Sequence, residues 1–273
     1  MSIKILAFDL DYTLIDSKKR IPPENIEALR YAASKGVYIV PATGRIYIGI
    51  PEELRRLPFM RWYLTANGSY IYDAVEDRAA ARAEIPVDEA LDFYAYADSL
   101  GLLYDCYQDN WGYMSADMLE AVLATITDAG VKKLIETLRT PVPDLKAFLR
   151  EKGTGVQKLQ LYFSDLSLRA RLLDELPRRF PKLAFSSSMP FNIEVNSPDA
   201  TKGCALLTLC SLLDIDPKDT MALGDGTNDL DMIQKAGIGV AMGNAAPSVL
   251  AAADYVTGHC DDAGFAKAVY TFC

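Results

Sequence analysis

The feature that most constrains the fold is a short, continuously apolar segment that recurs near both ends of the chain and stops at polar residues. Ile3–Leu10, Val37–Ala42 and Trp62–Ala66 have this form near the beginning, and Thr220–Leu223 has it near the end. Apolar runs of this length are typical of strands buried on both faces of a parallel sheet. Helical periodicity between them, as in Glu24–Lys35, supplies the crossover connections that parallel strands need. The alternation therefore predicts an α/β core built on a parallel sheet.

The middle of the chain has a different pattern, which predicts a domain inserted into this core. From about Glu84 onward, amphipathic helices alternate with strand candidates such as Leu102–Gln108, whose alternation favours a half-exposed strand. The first pattern returns near the end of the chain. We therefore predict a discontinuous core, residues 1–83 and 192–273, and an inserted α+β domain, residues 84–191.

Composition and charge exclude several classes of protein. The chain has 28 Lys and Arg residues against 37 Asp and Glu residues, a formal net charge of −9, whereas a duplex-binding protein needs clustered basic residues to contact phosphates. No uninterrupted apolar stretch approaches the roughly 18 residues of a membrane span. The five cysteines form no C-x-x-C pair, which favours reduced thiols over a disulfide framework or a zinc site. We expect a cytoplasmic protein that binds neither nucleic acid nor membrane.

Four polar motifs follow predicted core strands or begin a core helix, and they carry the chemistry. They are Asp9-Leu10-Asp11-Tyr12-Thr13, Thr43-Gly44-Arg45, Lys202, and Gly224-Asp225-Gly226-Thr227-Asn228-Asp229. In open α/β sheets, ligands bind at the carboxyl ends of the strands. The motifs are therefore expected to meet in one crevice, although they lie at opposite ends of the chain.

The residue types in these motifs indicate phosphoryl transfer assisted by a divalent cation. Asp9 and Asp11, at positions i and i+2 of an extended segment, project to the same side, and Asp225 and Asp229 are expected to join them. Four carboxylates repel each other unless a hard cation neutralises them, and Mg²⁺ suits a site of few carboxylates and a substrate phosphate. One aspartate is then a candidate nucleophile that forms an aspartyl-phosphate, and another is a candidate general acid and base. Three further side chains are candidates to orient the phosphoryl group: Thr43, Lys202 and Asn228.

The order and spacing of the four motifs resemble those of the haloacid dehalogenase superfamily. More closely, the chain is similar to the Cof-type sugar-phosphate phosphatases, which carry a large α/β cap of class IIB between the second and third motifs. Asn67-Gly68, Ile193-Glu194-Val195 and the run from Gly239 to Ala245 also match that subgroup. The resemblance implies a Rossmann-like, doubly wound parallel core, an inserted cap that sets substrate specificity, and Mg²⁺ as cofactor.

The resemblance also implies roles for individual residues. It implies Asp9 as the nucleophile and Asp11 as the general acid and base. It implies that Mg²⁺ is held by the Asp9 side chain, the Asp11 backbone carbonyl and Asp225, with Asn228 and Asp229 in support. The implied phosphate contacts are Leu10, Thr43, Gly44, Lys202 and Asn228. The candidate substrate contacts are Arg45, which alternatively braces the cap, and Asn67.

Three functions are consistent with these motifs. The leading hypothesis is a phosphatase of small phosphorylated metabolites, in particular sugar phosphates. A phosphomutase would use the same aspartyl-phosphate but return the phosphoryl group to its substrate, and a catalytically retired protein would only bind the metabolite. Intact Asp9, Asp11, Lys202 and Asp225 favour an enzyme over a binding protein.

Overall fold

The computed structural model describes residues 2–187 and 189–273 of the chain. The chain divides into two compact units. The core unit consists of Met1–Arg45, Ile50–Arg82 and Thr201–Cys273, and the inserted unit consists of Ile46–Gly49 and Ala83–Ala200. Among the described residues, no helix is long and apolar enough to cross a membrane.

The helices and strands fall into three consecutive groups along the chain. The first part of the core unit contains β1 (Ile5–Phe8), α1 (Pro23–Ser34), β2 (Tyr38–Pro41), α2 (Glu52–Arg55), β3 (Trp62–Thr65), β4 (Tyr70–Asp73) and β5 (Arg78–Arg82). The inserted unit contains α3 (Val87–Ser99), β6 (Leu103–Gln108), β7 (Trp111–Ser115), α4 (Ala116–Thr125), α5 (Ala129–Leu138), β8 (Arg139–Val142), α6 (Leu145–Lys152), β9 (Lys158–Tyr162), α7 (Leu166–Arg179), β10 (Ala184–Ser186) and β11 (Asn192–Asn196). The second part of the core unit contains α8 (Lys202–Leu213), β12 (Thr220–Gly224), α9 (Leu230–Lys235), β13 (Ile238–Ala241), α10 (Pro247–Ala252), β14 (Tyr255–Val256) and α11 (Gly264–Phe272).

The core unit is built on a five-stranded parallel sheet in the order β14-β13-β12-β1-β2. Helices cover both of its faces. Ile5 and Ala7 of β1 belong to one apolar cluster with Leu206 of α8, whereas the ring of Phe8 packs edge-on against Phe265 of α11, with centroids 5.2 Å apart. Successive side chains of a strand point in opposite directions, so one strand contacts both helical layers. The predicted doubly wound parallel core is confirmed.

The strand predicted at Trp62–Ala66 meets the core sheet in parallel at one bridge only, and its ladder is antiparallel instead. The segment contains β3, which pairs antiparallel with β4, and β4 pairs with β5 in a separate three-stranded sheet. A bridge between Ala42 and Leu64 links β3 to the end of β2. The turn after β3 explains the difference, because Asn67 and Gly68 have φ of 61° and 95° and return the chain directly into an antiparallel partner.

The inserted unit contains a six-stranded sheet in the order β10-β11-β9-β6-β7-β8. One face of this sheet is apolar. Tyr104, Leu159 and Ile193 lie on neighbouring strands and share a buried cluster with Phe93 of α3 and Leu172 of α7. Helices and a mixed sheet therefore form an apolar core in this unit, as the α+β pattern of the sequence predicts.

The opposite face of the same sheet carries buried polar side chains. Asp105 of β6 is fully buried and accepts hydrogen bonds from Arg139, from the Tyr162 hydroxyl (2.5 Å) and from the Gln160 amide (3.1 Å). The expectation that β6 is half-exposed is therefore wrong. Asp105 is satisfied by partners on other strands of the sheet instead of by water, which is how buried polar groups are usually accommodated.

Two further corrections concern the sheet of the inserted unit. Pro141 and Pro143 predict a break between helices, but Arg139–Val142 is the edge strand β8, parallel to β7, and an edge strand tolerates a residue without an N–H. Asn192–Asn196, which the predicted boundary assigns to the core, is β11 and pairs with β9. The inserted unit therefore extends to Ala200.

Replacing Asp105 by alanine is expected to lower the free energy of unfolding by about 3–5 kcal/mol, because it leaves the buried Arg139 guanidinium without its carboxylate. The matched control is Asp174→Ala, which breaks an exposed pair with Arg178 in the same unit and should cost less than about 1 kcal/mol. Urea denaturation followed by circular dichroism measures both values. Equal losses in the two variants would contradict a structural role for the buried pair.

Candidate active site

Two strand ends and one helix start bring the predicted catalytic motifs together in the core unit. Asp9 follows β1, Asp225 follows β12, and Lys202 is the first residue of α8. Because β1 and β12 are adjacent parallel strands, the aspartates that follow them are neighbours. The Thr13 hydroxyl links the two loops directly, since it donates to Asp225 Oδ1 at 2.9 Å.

Lys202 lies at the centre of the site. Its ammonium is fully buried, 2.6 Å from Asp9 Oδ1 and 2.5 Å from Asp229 Oδ1. Burial by itself would lower the pKa of Lys202, but the charges of Asp229 and Asp9 hold this pKa above its usual value, so the side chain stays charged. The Thr201 hydroxyl accepts a hydrogen bond from the Cys204 N–H and caps α8, which fixes the helix start that carries Lys202.

Asp229 orients the site and is saturated by donors from the protein. Its Oδ1 accepts from Lys202, and its Oδ2 accepts from the backbone N–H groups of Asp225 and Gly226, each at 2.9 Å. Gly224 permits this approach, because a Cβ there would lie 2.4 Å from the Cβ of Asp229. Asp229 therefore positions the Asp225 backbone, and both of its oxygens are already engaged.

The carboxylate oxygens that remain fit a hard divalent cation. Ligand atoms of Asp9, Asp225 and Asp229 all lie within 4.8 Å of one another. Among residues 2–187 and 189–273, no hydrogen bond is made to Asp9 Oδ2 or Asp225 Oδ2. Two such oxygens suit Mg²⁺, which is commonly bound by one or two carboxylates and keeps several waters.

Burial and crowding raise the pKa values of both aspartates that would hold the cation. Burial raises the pKa of Asp9 to about 7, against the opposing charge of Lys202. Burial, followed by the charge of Asp229, raises the pKa of Asp225 to about 6. Each carboxyl group therefore holds its proton at a higher pH than an exposed aspartate does. A bound cation reverses this preference because it stabilises the ionised forms.

The Asp11 carboxylate is not part of this acidic cluster and pairs with cations instead. Arg45 Nη2 donates to Oδ1 at 2.7 Å, Arg45 Nε donates to Oδ2 at 3.0 Å, and Lys19 Nζ lies 3.2 Å from Oδ1. Burial by itself would raise the pKa of Asp11, but Arg45 and then Lys19 hold this pKa below its usual value. The side chain of Asp11 is therefore not positioned as a metal ligand, and its backbone carbonyl stays the proposed one.

The Thr43-Gly44-Arg45 turn is braced by the residues that follow β3. The Ala66 N–H donates to the Arg45 carbonyl (2.9 Å), and the Asn67 N–H donates to the Thr43 carbonyl (3.0 Å). Ala66 and Asn67 have φ of 48° and 61°, which residues with side chains rarely adopt. A Cβ at Gly44 would lie 2.9 Å from Asn67 Oδ1, so a larger residue there would displace the Asn67 side chain. Asn67, a candidate substrate contact, thus lies against the predicted phosphate-binding turn.

The remaining predicted phosphate contacts lie in the loops of the same motifs. Leu10 is buried, and its carbonyl accepts from the Ile15 N–H at 2.8 Å. Thr43 is buried as well, and its hydroxyl accepts from the Arg45 N–H at 3.2 Å. Asn228 is exposed in the short turn Thr227–Asp229. The roles of these residues in phosphate binding stay predictions.

Two residues to which the sequence assigns no role lie in the site, Thr13 and Lys19. Thr13 belongs to the first motif, and the signal for it was its position four residues after Asp9 and two after Asp11. Lys19 lies outside all four motifs, and only the path of the loop after β1 places it beside Asp11. No local pattern marks such a lysine, because most lysines are exposed on loops and helices.

The amino-acid sequence of this chain is similar to those of known phosphatases. Residues 6–269 match the model of the haloacid dehalogenase-like hydrolases. The chain is 31% identical over 271 residues to a 5-amino-6-(5-phospho-D-ribitylamino)uracil phosphatase of Bacillus subtilis, which covers 98% of this chain and 95% of that protein. It is 29% identical over 257 residues to an HMP-PP phosphatase of Cronobacter sakazakii, which covers 93% of this chain and 90% of that protein.

Solved structures show the same similarity over the full chain. A haloacid dehalogenase-like hydrolase from Bacteroides thetaiotaomicron superposes with a TM-score of 0.83 at 27% identity and covers 100% of both chains. A sugar phosphatase of subclass IIB superposes with a TM-score of 0.79 at 27% identity and covers 98% of both chains. The fold of this chain is therefore that of the haloacid dehalogenase-like hydrolases with a cap domain.

Mg²⁺ is expected to stabilise the protein more at pH 8 than at pH 5. The raised pKa values of Asp9 (about 7) and Asp225 (about 6) mean that these groups contribute stability below about pH 4, and that this contribution is lost as pH rises through 6 to 7. A cation that binds the ionised carboxylates of Asp9 and Asp225 restores the lost stability. At about 100 times its dissociation constant, Mg²⁺ should raise the Tm by about 5 °C at pH 8 and by less than half of that at pH 5.

Differential scanning fluorimetry measures this difference, with KCl at matched ionic strength as the salt control. Asp225→Asn should remove most of the Mg²⁺-dependent shift at pH 8, because it replaces one of the two carboxylates proposed to hold the cation. Equal shifts at both pH values would show that these two carboxyl groups do not bind the added Mg²⁺.

Proposed function

As the chain belongs to the haloacid dehalogenase-like hydrolases and is a phosphatase of that family, we propose that it hydrolyses small phosphorylated metabolites in two steps, through an aspartyl-phosphate on Asp9 and with Mg²⁺ as cofactor. The observation that carries this proposal is the buried Lys202, which pairs with Asp9 and Asp229 beside Asp225. This pairing fixes the orientation of the Asp9 carboxylate, of which one oxygen would attack phosphorus and the other would hold the cation.

In the first step, the Asp9 carboxylate oxygen that does not hold the cation attacks phosphorus, and the bond between phosphorus and the ester oxygen breaks. The departing oxygen takes a proton from Asp11. In the second step, water transfers a proton to Asp11 and attacks phosphorus, and the bond between phosphorus and Asp9 breaks. Inorganic phosphate is released and the carboxylate of Asp9 is regenerated. Lys202 restricts rotation of the nucleophile throughout, because it holds Oδ1 at 2.6 Å.

The residues around Asp9 fit the cofactor that the proposal requires. One carboxylate oxygen each from Asp9 and Asp225 and the backbone carbonyl of Asp11 would hold Mg²⁺. When bound, the cation neutralises these acids and stabilises the charge on the transferring phosphoryl group. Asp229 keeps Asp225 in position through the Asp225 N–H. The proposed contacts to the phosphoryl oxygens are Leu10, Thr43, Gly44, Lys202 and Asn228.

The cations beside Asp11 favour proton transfer to Asp11 in the second step and disfavour proton donation by Asp11 in the first. A carboxylate whose pKa is lowered by Arg45 and Lys19 is ready to accept a proton from water in the second step. Donation of a proton in the first step requires the opposite, so Arg45 must release at least one oxygen of Asp11 when substrate binds. A substrate that attracts Arg45 would raise the pKa of Asp11 at the step where a proton is needed.

The names of similar proteins support a small phosphorylated metabolite as the substrate. Two are phosphatases of 5-amino-6-(5-phospho-D-ribitylamino)uracil and of HMP-PP, and one solved structure is of a sugar phosphatase. We propose a sugar phosphate or a metabolite with a phosphorylated polyol chain. Inorganic phosphate as product distinguishes this activity from that of a phosphomutase, which would form the same aspartyl-phosphate but return the phosphoryl group to an organic acceptor.

We place this activity in the cytoplasm. All five cysteines are free, and Cys106, Cys210 and Cys260 are buried. Burial raises the pKa of the Cys210 and Cys260 thiols to about 11, so both are protonated at neutral pH. Unpaired, protonated thiols support a reducing compartment, where disulfides are rare.

Asp9→Asn is expected to abolish Mg²⁺-dependent release of phosphate from p-nitrophenyl phosphate, because an amide cannot form the aspartyl-phosphate. The expected loss in kcat is at least about 10³-fold. Asp174→Asn is the matched control, since it changes an exposed aspartate on α7 of the inserted unit and should keep full activity. Full activity in Asp9→Asn would remove Asp9 from the role of nucleophile.

Asp11→Asn is expected to slow turnover by about 10²- to 10⁴-fold, the usual contribution of a general acid and base. Its affinity for Mg²⁺ should stay close to that of the unchanged protein, because Arg45 holds the Asp11 carboxylate outside the acidic cluster. Isothermal titration calorimetry with Mg²⁺ measures the affinity, and Asp225→Asn is the comparison that should lose it. Loss of Mg²⁺ binding in Asp11→Asn would make its side chain a direct ligand.

A further inference from the structure

Two cationic side chains, Arg45 and Lys19, lie beside the carboxylate of Asp11. Arg45 pairs with both Asp11 oxygens, at 2.7 and 3.0 Å. Lys19 Nζ nevertheless lies 3.2 Å from Asp11 Oδ1 as well. Lys19 is therefore a second cation at a carboxylate that a bidentate guanidinium already satisfies, and it contributes little to that ion pair.

Lys19 is held in this position by its loop. The carboxylate of Asp16, which is 5% exposed, accepts from the N–H groups of Lys18 (2.9 Å) and Arg20 (2.8 Å). The Lys19 N–H donates to the Asp16 carbonyl at 3.0 Å, and Lys19 has φ of 62°. This tight turn directs the Lys19 side chain back towards Asp11, so its approach is a property of the folded loop.

The same group is open to a ligand. The side chains of Lys19, Asp11 and Arg45 are 56%, 36% and 31% exposed. Tyr12 is 44% exposed, and the Lys19 ammonium lies 4.2 Å from the centroid of its ring. An anion from solution can therefore reach Lys19 without any part of the core being rearranged.

We propose that Lys19 and Arg45 bind a second anionic group on the substrate, a carboxylate or phosphate close to the ester oxygen that is cleaved. This inference rests on the proposed phosphatase function, in which Asp11 protonates that oxygen, so the leaving group must come next to Asp11. An anion on the leaving group takes over Lys19 and competes with Asp11 for Arg45. A leaving group with only hydroxyls offers these cations no charged partner. The preferred substrates are therefore phosphorylated metabolites with a second negative charge near the phosphate.

The test uses pairs of substrates that differ only in this second charge. Glycerol 2-phosphate and 2-phosphoglycerate share a carbon skeleton, but the latter has a carboxylate on the carbon that carries the ester oxygen. Fructose 6-phosphate and fructose 1,6-bisphosphate form a second pair with a more distant charge. The measured quantity is the ratio of kcat/KM within each pair, at saturating Mg²⁺, for the unchanged protein and for Lys19→Met, Lys19→Arg and Lys18→Met.

The unchanged protein should prefer 2-phosphoglycerate by about tenfold, the effect expected of one charge-assisted hydrogen bond. Lys19→Met should reduce this ratio to near one, and Lys19→Arg should keep most of it, because it keeps the charge. Lys18→Met is the matched control, since Lys18 is the adjacent exposed lysine of the same turn, and it should keep the full ratio. The preference within the fructose pair should be smaller.

Two results would overturn the inference while leaving the phosphatase proposal intact. One is hydrolysis of both glycerol esters with no preference in the unchanged protein. The other is an equal fall in kcat/KM for both esters in Lys19→Met, which would mean that Lys19 acts on the transferring phosphoryl group or only supports Asp11. Failure to release phosphate from these esters and also from p-nitrophenyl phosphate would instead overturn the proposed function, and this inference with it.

Discussion

The buried ammonium of Lys202 is the interaction on which the rest of the site depends. It joins the end of β1 at Asp9, the start of α8 and the turn that carries Asp229, three segments that are distant in sequence. Buried charges are tolerated only when they are paired, and removing one partner leaves the other uncompensated in the interior. The three groups therefore require one another. Their mutual dependence holds Asp9 and its surroundings in one arrangement.

The geometry around Asp225 follows from this interaction. Once Lys202 holds one oxygen of Asp229, the other oxygen binds the N–H groups of Asp225 and Gly226 and so positions Asp225. The ion pairs of Asp11 with Lys19 and Arg45 differ from those of Lys202, because they are partly exposed. Buried acids with raised pKa values lie on one side of the site, and partly exposed cations pair with Asp11 on the other. This division suits the proposed phosphoryl transfer, in which the phosphate and the leaving group need different partners.

The core could be predicted because its strands are buried on both faces. Ile3–Leu10 and Thr220–Leu223 are apolar almost throughout. The first contains β1, and the second makes up all of β12 except its last residue, Gly224. The prediction fails where the partner of a strand decides its structure. Trp62–Ala66 has the same composition whether it pairs parallel or antiparallel, and polar residues around Asp105 alternate in the same way whether water or Arg139 satisfies them. Strand pairing and ion pairing depend on residues that are distant in sequence, so a local sequence pattern does not predict them.

The sequence by itself determined which residues are candidates for the site and which class of chemistry they suit. Each motif follows a strand or starts a helix, and a short segment is enough to specify that. Only the tertiary structure decided which charged groups of the site pair with one another. It engages both oxygens of Asp229 with Lys202 and backbone N–H groups, and it pairs Asp11 with Arg45 and Lys19. The physical reason is that the strength of a charge pair depends on distance and burial, and both are set by residues that the fold brings together from separate parts of the chain.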